Sequence, residues 1–282
     1  MPIHFELGNA TLLAYGPEFR GPLIAFAVAL ALALAGRFLR IGLVAAAAGG
    51  AGVLAGWYAI SGRLWMTSPH LSVDDLTPLA SAMLLIGLLC ARLGPGRGAS
   101  IGMLLAAAFA GWWLSGAPMH LAGLRADWPI ALGVAAAVLL FARLLAASML
   151  EPLRLALAGL TMAASLHVVA APPVWALLAL VPALAAVAML ALPAMPGPVA
   201  LPVAADTAAV GSLAVIAIGR FTRLGVGSID VAALSPLLAL WLVPHVAARL
   251  RVAGRAAPVV ACVVAGAIAV AAAWGAHRAL PR

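Results

Sequence analysis

The chain contains very little charge and no lysine. Only 9% of its 282 residues are charged, whereas a soluble domain usually carries about a quarter. Hydrophobic residues make up 66% of the chain, and the mean hydropathy is +1.17. A soluble globular fold is therefore excluded, and we predict an integral membrane protein. The net charge of +8 comes from sixteen arginines. They stand singly near the ends of apolar runs, where they suit lipid headgroups and membrane topology rather than a nucleic-acid partner.

Cysteines and enzyme signatures are also scarce. Only Cys90 and Cys262 are present, which argues against a disulfide framework or a cysteine-based metal cluster and predicts two packing residues. The single acidic pair, Asp74 and Asp75, has no second cluster with which to hold Mg²⁺ as a prenyl-diphosphate enzyme would. No glycine-rich phosphate loop, serine–histidine–aspartate set or Cys-x-x-Cys pair occurs, and we predict no enzyme activity. The first twenty residues lack the pattern of a cleavable signal peptide.

Arginines recur along the chain at regular intervals. Arg37, Arg92, Arg143 and Arg249 each lie at the end of a long apolar run, with gaps of 55, 51 and 106 residues between them. A unit of about 52 residues is long enough for two membrane-spanning helices of about 20 residues each. The pattern predicts an all-α polytopic membrane helix bundle. It would have about ten transmembrane helices, built from five helical-hairpin repeats with a degenerate fourth copy.

The predicted helices share apolar composition and end at glycine, proline or arginine. They cover about 21–38, 41–60, 76–93, 99–117, 128–147, 154–171, 173–193, 201–219, 231–249 and 257–276. Residues 1–20 are predicted to be an outer N-terminal lead, 21–276 a single membrane domain, and 277–282 a short C-terminal tail. The loops richer in arginine are placed inside. Both termini then lie outside, on the periplasmic side of the inner membrane in a Gram-negative bacterium.

A basic residue closes the predicted outer end of each even-numbered helix. These residues are Arg63, His120, His167, Arg220 and His277. One interpretation is an ordinary interfacial belt, in which tryptophans line the membrane surface and basic side chains reach the headgroups. The other is an outer-leaflet metal site formed by His120, His167 and His277. Imidazole is the commonest metal ligand, and the thioether of Met119 would suit copper.

A family resemblance centres on one of these histidines. The segment Met119–Leu124, Met-His-Leu-Ala-Gly-Leu, resembles the Met-His-Tyr-Thr-Gly-Met signature of MHYT-type membrane sensor domains. Segments 166–171 and 219–224 resemble weaker copies. The helices from Asp75 to Arg92 and from Asp230 to Arg249 are similar to that family's pattern of an outer aspartate and an inner arginine. The resemblance implies an outer-face metal site, usually taken to hold copper, that senses a diatomic gas.

A second candidate site lies within the membrane. Asp206 falls near the inner end of the predicted eighth helix, and His245 near the inner end of the ninth. Ionisable residues inside membrane segments mark ion or proton paths by default, so the two could form an intramembrane pair. The alternative is that Asp206 caps the start of its helix.

Three functions follow from these patterns. The chain could be an MHYT-like sensor or metal-associated module with an outer-leaflet His/Met site. It could instead be a small-solute transporter of the size of drug/metabolite transporters, with Asp206 and His245 as the coupling site. It could also be a non-catalytic subunit of a larger membrane complex. The predicted partners are the lipid bilayer and, in the last case, other membrane subunits.

Overall fold

A computed structural model of the chain describes residues 19–62, 76–91, 95–115, 120–146, 151–171, 173–190, 228–250 and 256–279. The predicted eighth helix at 201–219 and almost all of the N-terminal lead lie outside these residues. The described residues form nine helices and no strand, so the prediction of an all-α fold is confirmed. The helices are α1 (Arg20–Phe38), α2 (Gly42–Ser61), α3 (Leu76–Ala91), α4 (Pro95–Leu114), α5 (Leu121–Ala146), α6 (Glu151–Val168), α7 (Pro173–Leu190), α8 (Ser228–Leu250) and α9 (Ala257–Ala279).

Several helix boundaries differ from those predicted. Helix α4 begins at Pro95 rather than near 99, because proline has no N–H to leave unpaired and its φ suits the first turn of a helix. Helix α5 begins at Leu121 rather than 128 and carries Pro129 in its interior. Helix α9 continues to Ala279, so the predicted C-terminal tail at 277–282 begins inside a helix.

Four described segments are long and apolar enough to cross a membrane: Arg20–Phe38, Pro173–Leu190, Val231–Leu250 and Ala257–Ala279. A membrane-spanning helix needs about 20 apolar residues. Four further helices carry shorter apolar stretches, at Thr77–Cys90, Ser100–Trp113, Asp127–Leu140 and Pro152–Val168. These lengths and compositions identify a membrane protein.

The helices pack around one main core and one smaller core. Helices α1, α2, α6, α7, α8 and α9 supply nearly all of the main core, and α3, α4 and α5 form the smaller one. Of the predicted hairpins, α1–α2, α3–α4 and α8–α9 pack together, whereas α5 and α6 touch only slightly. Helix α6 packs instead against α7, α8 and α9. The predicted third hairpin, helices 5 and 6, is therefore not a packing unit.

The same tight turn joins α1 to α2 and α6 to α7. In each, a backbone N–H donates to the carbonyl five residues earlier, at 2.9 Å for Ile41 and 3.0 Å for Ala171. The preceding residues, Arg40 and Ala170, have φ of 56° and 55°. This is the Schellman arrangement, which pairs the last carbonyls of a helix and reverses the chain, usually with glycine at the left-handed position. The left-handed residue is not glycine in either turn, and the same turn therefore occurs twice in the described residues.

The turns belong to a longer repeat. Helices α1 and α6 begin at residues 20 and 151, α2 and α7 at 42 and 173, α4 and α8 at 95 and 228, and α5 and α9 at 121 and 257. Each pair is separated by about 130 residues; five of the described helices belong to the first unit and four to the second. The counterpart of α3 would fall near 206–221, outside the described residues. The helix bounds therefore follow a period more than twice the predicted 52 residues.

Small residues allow α1 and α2 to approach closely. A Cβ added to Gly52 would lie 2.6 Å from the Ala25 carbonyl oxygen and 2.8 Å from the Ala29 Cβ, and one added to Gly56 would lie 2.8 Å from the Ala25 Cβ. Glycines four residues apart facing alanines four residues apart form the small-residue interface that lets membrane helices pack without a hydrophobic drive.

We expect Gly52→Ala to lower stability by about 1–3 kcal/mol, the usual cost of overpacking, because the nearest atom is backbone and cannot rotate away. Gly275→Ala is the matched control, since nothing lies within 4 Å of a Cβ at that position of α9. That control should be neutral or gain up to about 1 kcal/mol from better helix propensity. Thermal unfolding in detergent compares the two, and equal effects would contradict a tight α1–α2 contact.

A buried hydrogen bond links α2 in the first unit to α7 in the second. The indole N–H of Trp57 on α2 donates to the backbone carbonyl of Leu178 on α7 at 3.1 Å, and Trp57 is 1% exposed. The regular helical partner of this carbonyl would be the N–H of residue 182, which is Pro182. Proline has no N–H, so Trp57 supplies the donor that α7 lacks.

We expect Trp57→Phe to lower stability by about 1–3 kcal/mol, because it leaves a buried carbonyl without a donor. In a Pro182→Ala background the new N–H can pair with Leu178, so the same substitution should cost clearly less. Unfolding of both single variants and the double variant gives this coupling. Trp241→Phe, at an exposed tryptophan, is the control and should change little. Equal losses in both backgrounds would show that Trp57 does not compensate for the proline.

Candidate functional site

The predicted metal-site residues occupy helix ends. His120 directly precedes α5 and His167 lies in the last turn of α6; both are exposed. Met119 lies outside the described residues. Helices α5 and α6 touch only slightly, and no group of three or more histidine, cysteine or acidic residues able to hold a metal ion occurs among the residues described. The copper site of His120, Met119, His167 and His277 stays a prediction.

The intramembrane pair also stays a prediction, because Asp206 lies outside the described residues. His245 is exposed on α8 and stays close to its own helix. Its Nδ1 is 3.0 Å from the carbonyl oxygen of Trp241, and the two rings are 4.6 Å apart at their centroids. Both of these contacts of the His245 ring are made within α8.

The structure singles out three polar groups, one of which is the predicted metal ligand His277. In the described parts of the chain, the buried side-chain atoms without a hydrogen-bond partner are Ser165 Oγ, Ser235 Oγ and His277 Nδ1. Ser165 is 0% exposed and Ser235 is 4% exposed. They lie on α6, α8 and α9, three helices that each contact the other two. Buried polar atoms almost always have partners, so their common location in one helix triplet is informative.

Helices α6 and α9 run in the same direction. A Cβ on Gly266 of α9 would lie 2.9 Å from Leu157 and 3.1 Å from the hydroxyl of Thr161, both on α6. One turn earlier on α9, Cys262 lies within electrostatic range of Arg154, which is earlier on α6. Residue numbers therefore rise together along the two helices.

This register brings Ser165 and His277 onto the facing sides of α6 and α9. Ser165 is four residues beyond Thr161, which places both on one side of α6. His277 is eleven residues beyond Gly266, close to three full turns, so it continues the face that meets α6. The intervening Ala269 and Ala273 on that face are buried.

The three polar groups lie toward the same end of the bundle, within about 10 Å of one another along its axis. Distances along the helix axes follow from the rise of about 1.5 Å per residue, measured from the connection between α8 and α9. On this scale Ser235 lies about 22 Å from the connection and His277 about 30 Å. Ser165 lies at about 20 Å, because Thr161 on the same helix is level with Gly266 of α9. Helical side chains point back toward the N-terminus, which brings the imidazole of His277 closer to Ser235 on the antiparallel helix α8.

The charges at this end of the bundle have both signs. The guanidinium of Arg278 lies 3.8 Å from the ring centroid of Trp274, an arrangement that favours a cation. The C-terminal ends of α6 and α9 add partial negative charge, and the N-terminal end of α8 adds partial positive charge.

Comparison with protein-family models, with curated proteins and with solved structures finds no match to this chain. The helix repeat and the polar groups are therefore the features that bear on function. Only His277 among the three polar groups was predicted from the sequence as a site residue, and it was predicted to bind a metal. The available signal for the others was a hydroxyl inside an apolar helix, which is common in membrane helices and specifies no partner.

Proposed function

We propose that the chain carries a small solute across the bacterial inner membrane by means of two five-helix halves. The observation that supports this most strongly is the period of about 130 residues shared by four pairs of helices and by two identical turns. If all five helices of a half span the membrane, the second half enters from the opposite side, because five is odd. Inverted repeats of this kind build many secondary transporters, with the solute site between the halves.

The packing of the two halves supports a protein with two states. In the second half, α6 packs against α8 and α9. In the first half, the matching helix α1 packs against α2 and α7. It does not pack against α4 and α5, which are the counterparts of α8 and α9. Two halves of similar plan but different packing fit a mechanism in which one repeat moves against the other.

The other functions have weaker support. The sensor hypothesis needs a metal site, and its histidines at 120 and 167 are exposed on helices with little mutual contact. The subunit hypothesis fits the many large apolar side chains on the outside, such as Phe38, Leu85 and Val263. Lipid would cover those side chains equally well, so they do not favour a partner protein.

Opposite orientation of the halves predicts opposite access to the two matched turns. Arg40 and Ala170 are both exposed, and each can be replaced by cysteine after Cys90 and Cys262 are changed to alanine. We expect a membrane-impermeant maleimide to label Ala170→Cys in intact cells, and Arg40→Cys only after the membrane is permeabilised. The cysteine-free parent is the control. Labelling of both positions from one side would contradict the inverted repeat.

Transport itself predicts saturable uptake by proteoliposomes. The panel contains radiolabelled glycerol, alanine, tetraethylammonium and lactate, which represent neutral, zwitterionic, cationic and anionic solutes. We expect one class to enter faster than in liposomes that hold heat-denatured protein, with a rate that levels off as the solute concentration rises. No saturable uptake of any class would contradict the proposal and favour a sensor or a complex subunit.

A further inference from the structure

We infer that Ser165, Ser235 and His277 form a binding site for a small uncharged solute that bears hydroxyl or amide groups. The inference rests on the proposed transport function, for which it names the class of solute. Its independent basis is the set of three unpaired polar atoms on three mutually packed helices, at levels within about two helical turns.

A hydrogen-bonding occupant would pair the three polar atoms. A buried donor or acceptor without a partner costs about 1–3 kcal/mol, and three of them in one region would remove much of the stability of an ordinary domain. Each serine hydroxyl can donate and accept, and a neutral imidazole offers one donor and one acceptor. An occupant that both donates and accepts would satisfy all three groups, as water or a hydroxyl-bearing solute does.

The surroundings favour an uncharged occupant. Arg278 is one residue from His277, and its guanidinium disfavours a cation at this end, whereas the C-terminal ends of α6 and α9 disfavour an anion.

The test uses purified protein in detergent, so that membrane permeability plays no part. In the Cys90→Ala, Cys262→Ala parent, Ser165→Cys and Ser235→Cys place a thiol at two of the three positions with little change in volume. The matched controls are Ala158→Cys on α6 and Ala179→Cys on α7, both at positions that are 0% exposed. Thermal unfolding verifies that each variant is folded, and intact-protein mass measures the rate of modification.

Three thiosulfonate reagents of similar size report on polarity and charge. They are 2-hydroxyethyl, 2-(trimethylammonium)ethyl and 2-sulfonatoethyl methanethiosulfonate, which are neutral, cationic and anionic. We expect the neutral reagent to modify both serine-site cysteines at least about tenfold faster than the controls, a difference of about 1.4 kcal/mol in barrier. It should also react faster there than either charged reagent, after correction for reactivity with a free thiol.

Protection identifies binding of a solute rather than mere access. Glycerol should slow modification of Ser165→Cys in a saturable way, whereas sucrose at equal viscosity should not. His277→Leu should weaken the protection by glycerol and leave the unfolding temperature within a few degrees. Modification at the control rate would show a dry site, and modification without protection would show water only; either result overturns the inference. Because no flux is measured, failure here leaves the uptake and topology experiments to decide transport separately.

Discussion

The fold depends on the rule that backbone polar groups inside a membrane must be paired within the protein. Lipid offers no hydrogen bonds, so an unpaired carbonyl costs several kcal/mol there. Pro182 breaks this rule in α7 by removing one N–H, and the indole of Trp57 restores it from α2. A proline in one half of the chain thereby fixes the position of a tryptophan in the other half. The bond orients the two units as well as satisfying a carbonyl, because it needs α2 and α7 at one rotation and one level.

Close packing provides the second constraint. Gly52 and Gly56 allow α2 to lie against α1, and Gly159 allows α6 to lie against α7, where a Cβ would come within 2.7 Å of the Ala179 carbonyl oxygen. Both pairs are joined by the same turn, in which a residue other than glycine takes the left-handed conformation. That conformation costs about 1–2 kcal/mol without glycine. Its presence at both Arg40 and Ala170 indicates that the neighbouring helices hold these turns in place.

Much of the helix content could be predicted from the sequence, and the helix partners could not. Apolar runs and proline positions placed α3 and α7 at their observed starts. The arginines suggested a 52-residue unit because three of them, Arg37, Arg143 and Arg249, lie in the last turns of α1, α5 and α8. Which helices pack depends on small residues several turns apart, such as Gly159 and Ala183. The repeated turn was hidden because neither Arg40 nor Ala170 is the glycine that signals it.

The candidate site was harder to predict for a related reason. A histidine at a helix end gives the same sequence signal whether it reaches headgroups, binds a metal or faces a neighbouring helix. For His277 the deciding facts are rotational: it continues the face of α9 that meets Thr161, and Ser165 continues the matching face of α6. His167, in the last turn of α6, is exposed. Two histidines in the last turns of their helices therefore have different surroundings. The proposed site combines two serine hydroxyls with an imidazole, a set whose chemistry suits hydrogen bonding to a neutral solute better than coordination of copper.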